Sequence, residues 1–266
     1  MILSPIREKE LPFIVCAPNK MILQLSMLLD SKKIGVHGRV LKVFVERGAE
    51  ILASYLQAVG ENIELVCFLA LSDVKNIEDL ISQVKGLEGV KELEVYGPHP
   101  GITVDDAHFP FTVRRGARMI VFSAERYAQV LARLRELFGS GADLILYEMG
   151  KKHGEEMANA LQKMAREAGV DLKPAQLAEL MFRYLQSCGW AKFKLSIVSE
   201  EPLQATIRAE DLFEALAKSE GCSLFKGELA GIFGAIYKLD IKVEEEVCKA
   251  RGAEACVFKV TSKQSS

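Results

Sequence analysis

Apolar positions along the chain fall into two blocks of short runs and stripes. Residues 20–30 (KMILQLSMLLD) alternate apolar and polar and then run apolar, which predicts a strand. Beyond Gly38, VLKVFVERGAEILASYLQ repeats apolar residues at helical spacing (Val40, Val43, Phe44, Ile51, Leu52, Tyr55) and predicts an amphipathic helix with a break near Gly48. Residues 62–71 (NIELVCFLAL) are apolar and short, as a central strand is. Asn76 is a candidate cap for a helix IEDLISQVKGL that stops near Gly86 and Gly89. Residues 90–96 (VKELEVY) alternate as a strand, which GPHPG at 97–101 ends. Strand, helix, strand, helix, strand in this order predicts an α+β sandwich of ferredoxin-like type.

From Gly97 to Thr112 the chain holds three prolines, two glycines and two aspartates, the composition of a connector. It separates a domain over 1–100 from one over 113–266, with 101–112 as linker. In the second block, 117–122 (ARMIVF) reads as a strand, and Ser123 caps a helix AERYAQVLARLRELFGS with the stripe Tyr127, Val130, Leu131, Leu134, Leu137, Phe138. ADLILYEMGKKHGEEMANALQKMAREAG reads as one long helix with Gly150 and Gly154 on the same side. A mid-helix glycine costs ~1 kcal/mol relative to alanine, so the pair implies close approach of another helix or of a ligand. Pro174 opens a further helix, AQLAELMFRYLQSCG. WAKFKLSIVS and QATIRA read as paired strands, EDLFEALAK as a short helix, and ELAGIFGAIY as a helix with small residues Gly231 and Gly234. KLDIKVEEEV and CVFKVTS are strands joined by KARGAEA, followed by a polar tail, SKQSS.

Charge narrows the function classes. The formal net charge is -2, and Arg114, Arg115 and Arg118 are too few for a phosphate-tracking stripe, so nucleic acid is not an expected partner. No apolar run approaches the roughly 20 residues a membrane-spanning helix needs. The N-terminus, broken by Pro5 and by the charged run Arg7–Glu10, lacks a secretory apolar core, so a cytoplasmic location is expected. Thiols stay reduced there, and clustered cysteines point to metal or reactivity. Cys16, Cys67 and Cys188 lie in apolar settings and read as core thiols. Cys222, Cys248 and Cys256, with Glu245 three residues before the second, sit together within Gly221–Val260, at the joints of a helix and a hairpin. That grouping suggests a closed metal site, although spacing alone favours three buried free thiols. Glu244 and Glu246 compete with Glu245 as the carboxylate, and a hairpin bulge would decide between them. No GxSxG, HExxH or phosphate-cradling glycine loop is present, which points away from those catalytic classes. Asp105, Asp106 and His108 form a small polar cluster that reads as a turn rather than an acid–base site.

The first block resembles an ACT regulatory domain, carried by a short strand, Gly38 before a helix, and a following βαβ unit. The resemblance implies either a small ligand, such as an amino acid, approaching the backbone at that glycine, or a structural or dimerising role. The stretch from about 108 to 262 resembles the 4-vinyl-reductase-type domain, of the superfamily that includes haem nitric-oxide-binding sensors and TRAPP vesicle-transport subunits. YEMGKKHG at 147–154, CGW at 188–190, and GELAGIFGAIY with VEEEVCKARGAEACVFKV carry that likeness.

The vinyl-reductase-type resemblance implies a mixed α/β ligand-binding domain, usually dimeric, with a buried apolar pocket. Family members include sensor domains of aromatic-responsive bacterial activators and a protein of chlorophyll-type pigment synthesis. In zinc-containing members a cysteine precedes the last helix, a Glu-x-x-Cys follows, and another cysteine closes the hairpin. Carried over, these are Cys222, Glu245, Cys248 and Cys256 as ligands of a structural zinc. Candidate pocket residues are Trp190 and His153 first, then Tyr147, Gly150, Phe182, Phe193 and Phe233; the same aromatics at helical or strand spacing also suit a plain core. The implied function is a regulatory or sensor protein that binds an apolar or aromatic small molecule, acts as a homodimer, and passes its signal to a separate downstream protein. The alternatives are an enzyme or chaperone for a tetrapyrrole-like ring, and an interaction scaffold with a lipid-filled pocket.

Overall fold

Side-chain alternation decides how the first sheet is built. Strand β1 (Ile14–Asp30) sends Leu23, Leu25, Met27 and Leu29 to one face. There they form one core with Val36, Val40, Val43 and Phe44 of helix α1 (Val36–Glu46) and Leu80 and Val84 of helix α2 (Ile77–Lys85). The other face carries Ile22, Gln24 and Ser26 of β1, with Val66 and Phe68 of strand β3 (Asn62–Leu71), all buried. With strands β2 (Glu50–Val59) and β4 (Val90–Val104) the sheet runs β2-β3-β1-β4, antiparallel throughout. The chain order β1α1β2β3α2β4 in that sheet is a ferredoxin-like, ACT-like arrangement. This computed structural model describes residues 8–71, 77–113, 117–217 and 221–263. The Asn76 cap, Arg114, Arg115, Pro5, Arg7 and the last residues of the polar tail lie outside them.

Two expectations for this block need correction. The helix expected across 40–57 is a helix and a strand: α1 ends at Glu46, Gly48 takes a left-handed φ of 70°, and Ala49 N–H returns to the Phe44 carbonyl. Edge strand β2 then follows, its apolar residues falling by chance on the same helical period. GPHPG does not end the following strand either. β4 runs on to Val104, pairing Pro100 with Met21 and Ile102 with Cys16. Pro98 and Pro100 are tolerated because β4 is an edge strand with one side free of ladder bonds.

Contacts divide the chain into two units, Met1–Met119 and Ile120–Ser266. Of the strand expected over 117–122, only Ala117 and Arg118 (β6) pair, with Thr112–Val113 (β5); Ile120, Val121 and Phe122 are exposed and irregular. In the second unit, helix α3 (Ala124–Phe138) starts at Ser123, whose hydroxyl accepts from Arg126 N–H. Helix α4 (Ser140–Glu167) is the long helix expected, and α5 (Pro174–Ser187) opens on its proline. Strands β7 (Lys192–Glu200), β8 (Leu203–Glu210), β9 (Ile241–Val247) and β10 (Cys256–Ser262) form an antiparallel sheet in the order β7-β8-β10-β9. The short helix expected around 210–218 is a 3-10 turn, Phe213–Ala217. Helix α6 (Ser223–Tyr237) is buried on nearly all sides and joins the core with Phe258, Ile207 and Leu146.

The glycines explain how α6 lies against α4. A Cβ on Gly227 would stand 2.0 Å from the Tyr147 carbonyl oxygen, and one on Gly231 2.0 Å from that of Lys151. Reciprocally, a Cβ on Gly150 would meet Leu224 O at 1.9 Å, and one on Gly154 would meet Glu228 O at 2.3 Å. Backbone therefore rests on backbone along two turns of each helix. Gly231 takes part with Gly227; Gly234, the other small residue noted in that helix, does not.

Candidate functional site

The C-terminal hairpin and the start of α6 bring four ligand groups to one point. Cys222 is the residue before α6, Cys248 follows β9, Cys256 opens β10, and Glu245 lies on β9. Their ligand atoms all lie within 4.8 Å of one another. Cys222 Sγ is 4.0 Å from Cys248 Sγ and 3.8 Å from Cys256 Sγ. Sulfurs at about 2.3 Å from a tetrahedral zinc are roughly 3.8 Å apart, so the thiols already stand at ligand spacing. The three thiols are buried, and the Glu245 side chain is 5 % exposed.

The hairpin chooses the carboxylate. Val257 pairs with Val247 but Phe258 with Glu245, so a bulge at Glu246 takes up one residue of β9. Glu244 and Glu246 face out, Glu244 against Lys242, while Glu245 turns in. Its Oε2 accepts from Cys222 N–H at 3.3 Å and lies 3.7 Å from Arg251 Nη2. Its Oε1 is buried with no hydrogen-bond partner among the described residues. An orphaned carboxylate oxygen beside three thiols is the arrangement a cation would satisfy. The hydrogen bond from Cys222 draws the Cys248 thiol down to about 7, while Cys222, between two sulfurs, is pushed far up. Lys249 N–H adds a donor to Cys256 Sγ at 3.3 Å. This Cys/Glu cluster could hold a metal.

Glu214 holds this corner in place. It is fully buried, accepts from Leu224 N–H at 3.0 Å and Phe225 N–H at 2.8 Å, and meets Arg135 Nη2 at 2.6 Å. It thus caps the first turn of α6, next to Cys222, with a charge-assisted pair. Arg135 also reaches Asp143 at 3.0 Å, and Ser223 Oγ donates to Asp143 at 2.9 Å.

A second cluster forms around Trp190, at the start of β7. His153 of α4 stacks on it, centroids 5.6 Å apart and planes 13° apart. Trp190 meets Phe213 edge-on at 5.1 Å and Phe225 at 6.3 Å. Phe225 stacks on Phe193, Phe193 meets Phe182 edge-on, and Phe182 tilts against Phe233, so the aromatics form one wall. The candidate residues His153, Trp190, Phe193, Phe182 and Phe233 are therefore linked ring to ring. Tyr147 packs at the core margin, and the space over Gly150 is taken by the backbone of α6.

Sequence reasoning missed the polar centre of this wall. Glu228 of α6 is fully buried, and its Oε2 lies 2.8 Å from His153 Nδ1. Its Oε1 has no partner among the described residues. Burial pushes the Glu228 carboxyl up, and the hydrogen bond to Glu228 raises His153, so the pair holds a proton tightly. The signal was present: Glu228 is the single acid in the apolar run between Lys226 and Lys238. Two shallow clefts, about 310 Å³ at Cys16, Lys20, Glu50 and Leu52 and about 460 Å³ at Glu179, Leu195, Ile197 and Glu200, are lined by neither His153 nor Trp190. Of the cysteines expected in the core, Cys67 is buried, but Cys16 and Cys188 are exposed, Cys16 at the irregular edge of β1 and Cys188 just after α5.

No family model and no curated protein matches the chain. Among solved structures, the phenol-responsive sensory domain of the transcription activator PoxR with phenol is similar at 16% identity and TM-score 0.48, over 57% of this chain and 83% of that one. A vinyl-4-reductase family protein from Methanocaldococcus jannaschii is similar at 19% identity and TM-score 0.33, over 55% of this chain and all (100%) of that one. The ACT domain from GTP pyrophosphokinase of Chlorobium tepidum is similar at 13% identity and TM-score 0.27, over 29% of this chain and 99% of that one. These are likenesses of chain path at low identity. No helix among the described residues is long and apolar enough to cross a membrane.

Proposed function

We propose that this chain is a small-molecule-binding regulatory protein. The second unit takes an apolar or aromatic ligand against Trp190, and the ACT-like first unit serves as its regulatory companion. The observation that carries the reading is Glu228: a fully buried carboxyl group, one oxygen unpartnered, hydrogen-bonded through the other to His153 inside an aromatic wall. A buried polar group without its partner costs about 1–3 kcal/mol, which a ligand with a polar head on an apolar body would relieve. His153, with half of its side chain exposed (52%), gives such a ligand its entry, and its Nε2 gives the polar head a hydrogen-bond partner. Trp190 and Phe193 supply apolar contact for the body. Leu144, Ile145 and Met149 stand exposed along α4, which suits a homodimer. A ligand that rearranges this unit would act on a separate downstream protein.

The same reading includes a structural zinc held by Cys222, Glu245, Cys248 and Cys256. Four protein ligands leave no position for a substrate, so the metal's contribution is to tie α6 to the β9–β10 hairpin. Elemental analysis of purified protein is expected to give at least one zinc per chain, and Cys248→Ser to carry one fewer than wild type, with several degrees less thermal stability. Protein that is metal-free and equally stable would refute the zinc. For the ligand, calorimetric titration with phenols and other small aromatics is expected to show saturable binding that His153→Ala and Glu228→Gln weaken; equal affinity in wild type and both variants would refute the site.

A further inference from the structure

On the face of the first sheet turned away from α1 and α2, polar side chains converge on His108. Its Nδ1 lies 2.7 Å from Asp105 Oδ1. Asp105 is itself held, with Gln24 Nε2 donating to Oδ1 at 2.8 Å and Tyr55 OH to Oδ2 at 2.7 Å. A carboxylate in that position accepts a hydrogen bond from Nδ1–H, the tautomer that leaves the lone pair on Nε2.

Two oxygens face that lone pair. Ser26 Oγ and Glu64 Oε1 are each 3.4 Å from His108 Nε2, and 3.2 Å from each other. Ser26 Oγ donates a long hydrogen bond to Glu64, while the two contacts to Nε2 are well beyond the ~2.7–2.9 Å of a charge-assisted hydrogen bond. Nitrogen and oxygen ligands at about 2.0–2.1 Å from a tetrahedral cation lie roughly 3.3 Å apart, which is the edge of this triangle. The outer shell also has the form of a metal site, since a ligating histidine commonly gives its second nitrogen to a carboxylate that fixes ring and tautomer.

We propose that His108 Nε2, Glu64 and Ser26 form a binding site for a divalent cation of the borderline class, such as Zn²⁺, with Asp105 as the positioning residue behind the imidazole. His108 and Glu64 side chains are 23% and 21% exposed, so the fourth position opens to solvent. Ser26, His108 and Asp105 also stand in the sequence of contacts of a hydrolytic triad, but two features speak against one. The Ser26 proton is directed to Glu64. Ser26 also sits mid-strand in β1, paired with Val66 of β3 and Glu94 of β4, so the ladders on both sides consume the backbone N–H groups that an oxyanion would need.

The experiment is a titration of the metal-free 266-residue chain with Zn²⁺ against a chromophoric chelator. Glu64→Gln, which keeps the side-chain shape, and His108→Ala are each expected to bind one equivalent fewer than wild type. Asp105→Asn is expected to keep that equivalent with about 10–100-fold weaker affinity. Cys248→Ser is expected to retain the His108 equivalent, which separates it from the thiol cluster. Uptake of the same number of equivalents by wild type and Glu64→Gln overturns the proposal, as does a Cys248→Ser protein that binds none.

Discussion

Gly227→Ala puts a methyl group where the α4–α6 crossing has no room for one. The added Cβ would lie 2.0 Å from the Tyr147 carbonyl oxygen and 2.8 Å from the Lys151 nitrogen. Both are backbone atoms of α4, so no rotamer change relieves the clash, and the helices must part by more than 1 Å to restore a contact of roughly 3.4 Å. Overpacking of this kind costs about 1–3 kcal/mol, and occasionally more, with parted helices at the upper end. Alanine returns ~1 kcal/mol of helix propensity, leaving a net loss of about 2 kcal/mol. For a unit of this size that is a fall of roughly 4–8 °C in Tm. Gly234→Ala in the same helix is the control. Its Cβ meets nothing closer than 3.5 Å, so propensity alone acts and stability should rise by about 0.5–1 kcal/mol. Trp190 is the only tryptophan and lies in this unit, so its emission during urea unfolding reads both variants in the full chain. A Gly227→Ala protein at least as stable as wild type would refute the backbone-on-backbone crossing.

Other outcomes follow from the buried charges and from pH. Glu214→Ala leaves two N–H groups of α6 without their acceptor and the Arg135 guanidinium with Asp143 as its remaining carboxylate, and is expected to destabilise the second unit by about 2–4 kcal/mol in urea unfolding, with Glu214→Gln losing less because it still accepts. Asp105, whose folded pKa is depressed, contributes stability that is fully present above its unfolded value of about 3.9 and is lost as pH falls through the lower folded value. Asp105→Asn should therefore flatten the acid-side loss of stability of the first unit below about pH 4, followed by circular dichroism. An unchanged acid limb would show that Asp105 is not held by its three partners. His153 and Glu228 shift the other way: both bind protons more tightly when folded, so the second unit is expected to lose stability as pH rises through neutrality, and Glu228→Gln to remove part of that slope.

Local signals were legible where the deciding partners lie close in the chain. Ser123, Pro174 and the stripe of α3 placed helix starts because capping is settled within one turn. The metal-competent quartet could be read because Cys222, Glu245, Cys248 and Cys256 belong to three consecutive elements whose hairpin joins them. What selected Glu245 over its neighbours was the bulge at Glu246, which depends on register across the hairpin. The Gly150–Gly154 pair announced a close approach, yet its partners, Gly227 and Gly231, became visible only with the crossing geometry. Strand β2 was hidden because a helix end and an edge strand share one apolar period, and the backbone sign at Gly48 alone separates them. The His108 cluster was unreadable because Gln24, Ser26, Tyr55 and Glu64 reach it from three strands.

Trp190 fluorescence offers the most direct test of ligand binding by the second unit. Its ring stacks on His153 and is the only indole in the chain, so a ligand seated there must alter its emission. Titration of the 266-residue chain with phenols and larger apolar aromatics is expected to give a saturable change for at least one of them. His153→Ala should weaken that binding by about 10–100-fold, the worth of a hydrogen bond to a charged group. Emission that stays flat across the panel, in protein that remains folded, would contradict a ligand site at Trp190.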